Sequence, residues 1–210
     1  MAPLDYLRES AAISARSFAL ARELTDLGGL PEGLYPLALR LVHACGRPEI
    51  APDIAYDGDV VAAGRAALAA GATVLCDARM VEVGILWDRL PPACRTFCTI
   101  DDQRTRKLAE EMGTTRSAAG VELWRPHLEG AVVAIGNAPT ALFHLLERLE
   151  EWPERPAAIF AFPVGLVGAA ESKEALIAAR LGVPYITLRG RSGGSALAAA
   201  AVNALLLPGS

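Results

Sequence analysis

"AVVAIGNAPTALFHLLERLEE", residues 131–151, holds the pattern that decides the fold. An apolar run rich in β-branched residues, Ala131 to Ile135, reaches Gly136, and a helical segment follows over 138–151. A strand apolar on both faces needs cover on both sides, which is the signature of a parallel sheet between helix layers. The same alternation recurs along the chain. "DGDVVAAGRAALAAGA" (57–72) reads as a capped helix, and "TVLCD" (73–77), "FCTI" (97–100), "AAIFAFP" (157–163) and "PYITLRG" (184–190) read as buried strands. Helical segments are expected around 102–112, 115–125, 170–181 and 195–207. The expected fold is therefore α/β, a mostly parallel sheet covered by helices on both faces. No repeat, long linker or low-complexity tract divides the chain, so residues 1–210 are expected to form a single domain.

The N-terminal part is helical in pattern. "DYLRESAAISARSFALARELTDL" (5–27), with Leu4 just before it, places Leu4, Leu7, Ala11, Phe18 and Leu24 at near-helical spacing, with Gly28–Gly29 as a stop. A second helix begins near Leu34. Its stripe of Leu34, Leu37, Ala38, Leu41, Val42 and Cys45 follows i, i+3, i+4, i+7, i+8 and i+11.

Composition narrows the function classes. Hydrophobic residues make up 52% of the 210, and the formal net charge is −4, which argues against nucleic acid as a partner. "MAPLDYLRES" lacks a signal-peptide pattern, and "SALAAAAVNALLLP" falls short of the roughly 20 residues a membrane span needs. A cytoplasmic protein is expected. Cys45, Cys76, Cys94 and Cys98 have neither metal-ligand spacing nor a disulfide pattern, and no metal site is expected.

In an open parallel sheet, ligands bind beyond the C-terminal ends of the strands. Those ends carry "CDARM" (76–80), "IGNAPT" (135–140), "FPVGLVGAAES" (162–172) and "RGRSGGS" (189–195), each leading into a helix. Each can offer backbone N–H groups and a positive dipole end to an anion. "TTRSAAG" (114–120) adds Thr115 as an N-cap, with Arg116 and Ser117 in the first turn. Glycines in such loops also serve plain tight turns, but several loops together favour a polyanion. Gly190-Arg191-Ser192-Gly193-Gly194 matches the nucleophile elbow G-x-S-x-G, whose acid and histidine must come later in the chain. No Asp, Glu or His follows Ser192, which excludes that reading. Dinucleotide and P-loop glycine patterns are absent as well.

His43, in "RLVHACG" (40–46), lies roughly opposite the apolar stripe of its helix, so it does not fill the core. It is either solvated or lines a second surface. Arg40, and Arg47 if the helix extends that far, share its side. Their charges lower its pKa, and an anionic ligand raises it again, which suits a general acid recruited by a polycarboxylate. His127 and His144 are expected to be structural.

Six blocks, "RLVHACGRPEI", "GATVLCDARMVEVGI", "TRSAAG", "IGNAPTALFHLLE", "PVGLVGAAESKEAL" and "RGRSGGSALAAAAVNAL", together resemble the precorrin-8X methylmutase family of cobalamin biosynthesis. The likeness runs in order from about residue 5 to residue 207. It implies an isomerase that moves a methyl group from C-11 to C-12 of the tetrapyrrole precorrin-8X, giving hydrogenobyrinate. It further implies no cofactor, a homodimer with active sites at the subunit interface, and His43 as the acid–base residue. Ser17 in "ARSFAL" and Arg116–Ser117 in "TRSAAG" match positions around the substrate. A non-catalytic tetrapyrrole carrier would use the same anion loops without needing His43. Metal-free and cobalt-containing substrates are not separated by these motifs.

Overall fold

The computed structural model describes residues 4–207. Its centre is a six-stranded sheet built from β1 (Ile54–Asp57), β2 (Thr73–Cys76), β3 (Arg95–Cys98), β4 (Val132–Ile135), β5 (Ala158–Ala161) and β6 (Tyr185–Leu188). The spatial order is β1-β6-β5-β4-β2-β3. All neighbours run parallel except β1, which pairs antiparallel with β6. Counting only the parallel strands, the order is the 2-1-3-4-5 of doubly wound sheets, with its switch point between β2 and β4.

Nine α-helices accompany the strands among the described residues: α1 (Ser10–Leu24), α2 (Tyr35–Cys45), α3 (Val60–Ala69), α4 (Arg79–Gly84), α5 (Gln103–Met112), α6 (Arg116–Glu122), α7 (Pro139–Glu151), α8 (Ala169–Ala178) and α9 (Ser195–Leu206). Strand side chains alternate between two cores, as the pleat requires. Val74, Val132, Ala134, Ala158 and Phe160 face the layer of α2, α3 and α9. Leu75, Val133, Ile135, Ile159 and Ala161 face the layer of α7 and α8. Both faces are covered, as the apolar strands demanded.

Helix α9 is buried along nearly its whole length, between the sheet and α2, α3 and α4. Its alanines let these helices approach closely. Helix α2 buries Leu37, Ala38, Leu39, Leu41 and Val42 and ends at Gly46, whose φ of 67° is left-handed. Helix α1 differs. It starts at Ser10, later than Leu4 and Leu7, and buries only Ala21, leaving Leu4, Tyr6, Leu7, Ile13 and Leu24 exposed. Among the described residues no helix is long and apolar enough to cross a membrane.

Candidate active site

His43 occupies the last turn of α2, on the flank opposite the buried stripe. Helix α1 supplies its surroundings. The imidazole stacks on Phe18 with ring centroids 4.6 Å apart and an 11° interplanar angle. Ser17 Oγ lies 2.8 Å from His43 Nδ1. With the Ser17 hydroxyl donating, the neutral ring keeps its proton on Nε2, which has no hydrogen-bond partner among the described residues. The Arg40 guanidinium sits 4.9 Å from the centre of the same Phe18 ring. Partial burial, and next the Arg40 charge, lower the His43 pKa below the usual histidine value. Ser17, Leu20, Leu24, Val42 and His43 line a cavity of about 160 Å³.

Arg116 and Ser117 open α6, where Thr115 Oγ1 accepts the Ala118 N–H at 3.2 Å as its cap. Arg116 lines a separate cavity of about 330 Å³ with Asp101, Gln103 and Arg106. That cavity shares no lining residue with the one at His43. Within one chain, then, the structure joins Ser17 to His43 and leaves Arg116–Ser117 apart from them, at the start of α6.

The strand-end loops do not all offer N–H groups to a ligand, contrary to their reading from sequence. At "IGNAPT" the Asp77 carboxylate accepts from the backbone N–H of Gly136, Asn137 and Ala138 at 2.9, 3.0 and 2.7 Å. Asp77 is 3% exposed. The chain's own anion therefore takes the turn that leads into α7. Helices α8 and α9 begin at Gly168 and Gly194, also without a side-chain cap, and among the described residues no carboxylate gathers the N–H groups of the turns before them. The loops that precede them are bonded into one rim: Val164 N–H donates to Asn137 O at 3.4 Å, and Gly194 N–H to Phe162 O at 2.8 Å.

This rim reaches α2 through Arg47. The helix stops before Arg47, whose side chain leaves His43's flank to pair with Glu49 at 2.9 Å and donate to Ser192 Oγ at 3.4 Å. Ser192 is thus a contact in a loop, consistent with the failed elbow reading. His144 Nε2 lies 2.6 Å from Glu122, and His127 packs edge-on against Phe97, both structural roles. All four cysteines are free, and no cluster of three or more His, Cys, Asp or Glu suited to a metal occurs among the described residues.

Comparison with known proteins gives one answer. The family model described as precorrin-8X methylmutase (CbiC) matches residues 12–207. A precorrin-8X methylmutase of Pseudomonas aeruginosa is 56% identical over 202 residues, covering 96% of this chain and 97% of its own. One from a Sinorhizobium species is 52% identical over 209 residues, covering 100% of both. A cobalt-precorrin-8 methylmutase of Priestia megaterium is 35% identical over 196 residues, 92% of this chain and 85% of its own. Among solved structures, a precorrin-8X methyl mutase from Thermus thermophilus superposes with a TM-score of 0.83 at 34% identity, covering 94% of this chain and 95% of that one. With a match over nearly the whole described chain and the same mostly parallel sheet, this chain belongs to the precorrin-8X methylmutase family.

Proposed function

We propose how this isomerase of cobalamin biosynthesis moves the methyl group from C-11 to C-12 of precorrin-8X: His43 acts as the general acid and the strand-end rim clamps the carboxylates of the macrocycle. The observation that carries the reading is the Ser17–His43 pair at 2.8 Å, with Nε2 left for a ligand. Donation from Nε2 to a ring nitrogen makes the conjugated system electron-poor and eases migration of the methyl group. Phe18, stacked on the imidazole, and Ser17 hold its plane and tautomer. The shift is intramolecular and needs no nucleophile from the protein. The lowered pKa keeps His43 largely neutral in the free protein at pH 7. Carboxylates of the arriving substrate reverse that electrostatic bias and recruit the proton when it is useful.

The site is completed by a second copy of the chain. A cavity of about 160 Å³ at His43 is too small for a macrocycle, since ligand pockets run from about 300 Å³ upward. Leu24, one of the apolar side chains that α1 leaves exposed, lines that cavity together with Leu20. A homodimer buries them, widens the cleft and brings Arg116 and Ser117 of the partner to the carboxylate rim. The two relatives above 50% identity are both named precorrin-8X methylmutase, which supports the metal-free substrate over its cobalt-containing counterpart. We place the reaction in the cytoplasm, without a cofactor.

Incubating the protein with excess precorrin-8X and following the absorption spectrum tests this. An isomerase converts the excess, whereas a carrier shifts the spectrum only stoichiometrically. His43→Ala is expected to bind hydrogenobyrinate as the wild type does while kcat falls by about 10²–10⁴, the usual worth of a general acid. Equal turnover by the two proteins removes His43 from the mechanism. Light scattering is expected to give twice the 22.1 kDa chain mass.

A further inference from the structure

Away from the His43 cluster, the chain buries a lysine that the reaction just described does not use. Lys173, in α8, is 0% exposed, a state lysines almost never adopt unless paired. Its Nζ donates to the Ser192 carbonyl at 2.7 Å. The adjacent carboxylate of Glu174 is turned to Arg189, at 2.7 Å. Burial brings the Lys173 pKa down to about 8, against the opposing pull of Asp53 and Glu174. Methionine would fill the same space at no desolvation cost, so the ammonium is there for the bond it makes.

That bond ends in a loop that has further contacts at Ser192, Gly193 and Gly194. Gly194 N–H donates to Phe162 O at 2.8 Å. Gly193 lies so close to Phe162 and Pro163 that a Cβ there would clash with their carbonyl oxygens. On the other flank, Arg47, which follows the Gly46 cap of α2 and pairs with Glu49 at 2.9 Å, donates to Ser192 Oγ at 3.4 Å. One residue, Ser192, therefore receives α8 through its carbonyl and the end of α2 through its hydroxyl. The loop carries Arg191 and leads into the start of α9, which no side chain caps.

We propose that Lys173 is a positioning residue for substrate capture: by holding the Ser192 carbonyl it fixes the Gly190–Gly194 loop, so that Arg47, Arg191 and the start of α9 face a carboxylate of the macrocycle as one surface. The proposal rests on the functional reading above. It separates two tasks in the protein, with His43 governing the chemical step and Lys173 governing capture.

The test compares Lys173→Met with wild type and with Lys173→Gln, which keeps an N–H donor on a shorter arm. In Lys173→Met, amide hydrogen exchange at Gly193 and Gly194 is expected to quicken by about tenfold, the worth of one charge-assisted hydrogen bond. The KM for precorrin-8X and the Kd for hydrogenobyrinate are expected to rise by about the same factor, with kcat within about threefold. Lys173→Gln falls between the two, and it carries the test if Lys173→Met does not fold. A folded variant with wild-type exchange in the loop and wild-type KM overturns the proposal. So does a variant that loses only thermal stability while KM stays put, because that is plain packing. Wild-type protein that leaves precorrin-8X unchanged overturns the functional reading itself, and the wild-type control separates that failure from any effect at position 173.

Discussion

The starts of α7 and α9 are built alike and used differently. Both follow buried parallel strands through a glycine-containing turn at the same end of the sheet. At α7 the three N–H groups of Gly136, Asn137 and Ala138 converge on the Asp77 carboxylate from the neighbouring strand end. Burial raises the Asp77 pKa, and those donors hold it back. At α9 no side-chain acceptor takes that place; beside the loop lie Lys173, bonded to the Ser192 carbonyl, and Arg47, which pairs with Glu49 and reaches Ser192 Oγ. The α7 turn lies at the switch point between β2 and β4, the usual ligand crevice of such a sheet. Here an internal anion fills it. The lesson is that a topologically favoured crevice can serve as a structural clasp, while the corresponding loop after β6 is tied through Ser192 to α8 and to the segment that follows α2.

Asp77→Ala attacks the first half of that contrast and carries the largest expected stability loss. Stranding buried donors costs about 1–3 kcal/mol each, and some will find water, so a loss of about 3 kcal/mol or more is expected. For a chain of this size that is a fall in Tm on the order of 6–12 °C, readable by calorimetry. Unchanged stability would mean that the clasp holds nothing. Gly193→Ala attacks the second half. Its Cβ would meet backbone carbonyl oxygens that cannot swing aside, so the loop must shift, at about 1–3 kcal/mol. The distinguishing readout is kinetic: KM for the tetrapyrrole should rise in Gly193→Ala more than kcat falls. A variant equal to wild type in KM would show that the loop does not face substrate.

The contrast itself was not legible in the sequence. Period and composition located β2, β4, β5, β6 and the buried stripe of α2, because a doubly covered strand and an amphipathic helix each repeat at a fixed spacing. They also placed His43 off that stripe and Arg40 beside it. They could not reveal β1, whose four residues emerge from a 3₁₀ turn and pair antiparallel with the distant β6. Strand β3 begins two residues before the "FCTI" run, at Arg95, because this edge strand is only partly buried and its polar residues pair as well as its apolar ones. The spacing along the N-terminal segment found α1 but not what covers it, since apolar periodicity does not say which molecule buries the stripe. Asp77 was visible only as an acid ending "TVLCD". Nothing local announces that its carboxylate crosses to a loop 59 residues further on. Lys173, likewise, reads as an ordinary helical lysine until α8 is packed against the Ser192 loop.

The smallest expected effect sharpens the comparison from the His43 side. Burial is the first cause of the lowered His43 pKa and the Arg40 charge the second. Arg40→Gln removes only the second, so the pKa rises in the variant yet stays below that of a free histidine. A group whose folded pKa is depressed favours its neutral form, and the stability linked to it is lost as pH falls through the folded value. In Arg40→Gln that acid loss is therefore smaller. Activity moves the other way along the pH axis. If protonated His43 is the working acid, kcat/KM declines as pH rises through the free-protein pKa, and Arg40→Gln carries that decline to higher pH. NMR titration of the His43 ring and a kcat/KM profile should shift upward together. An upward shift in the NMR titration with an unmoved kinetic profile would assign the kinetic limb to another group and confine Arg40 to the Phe18 ring it covers.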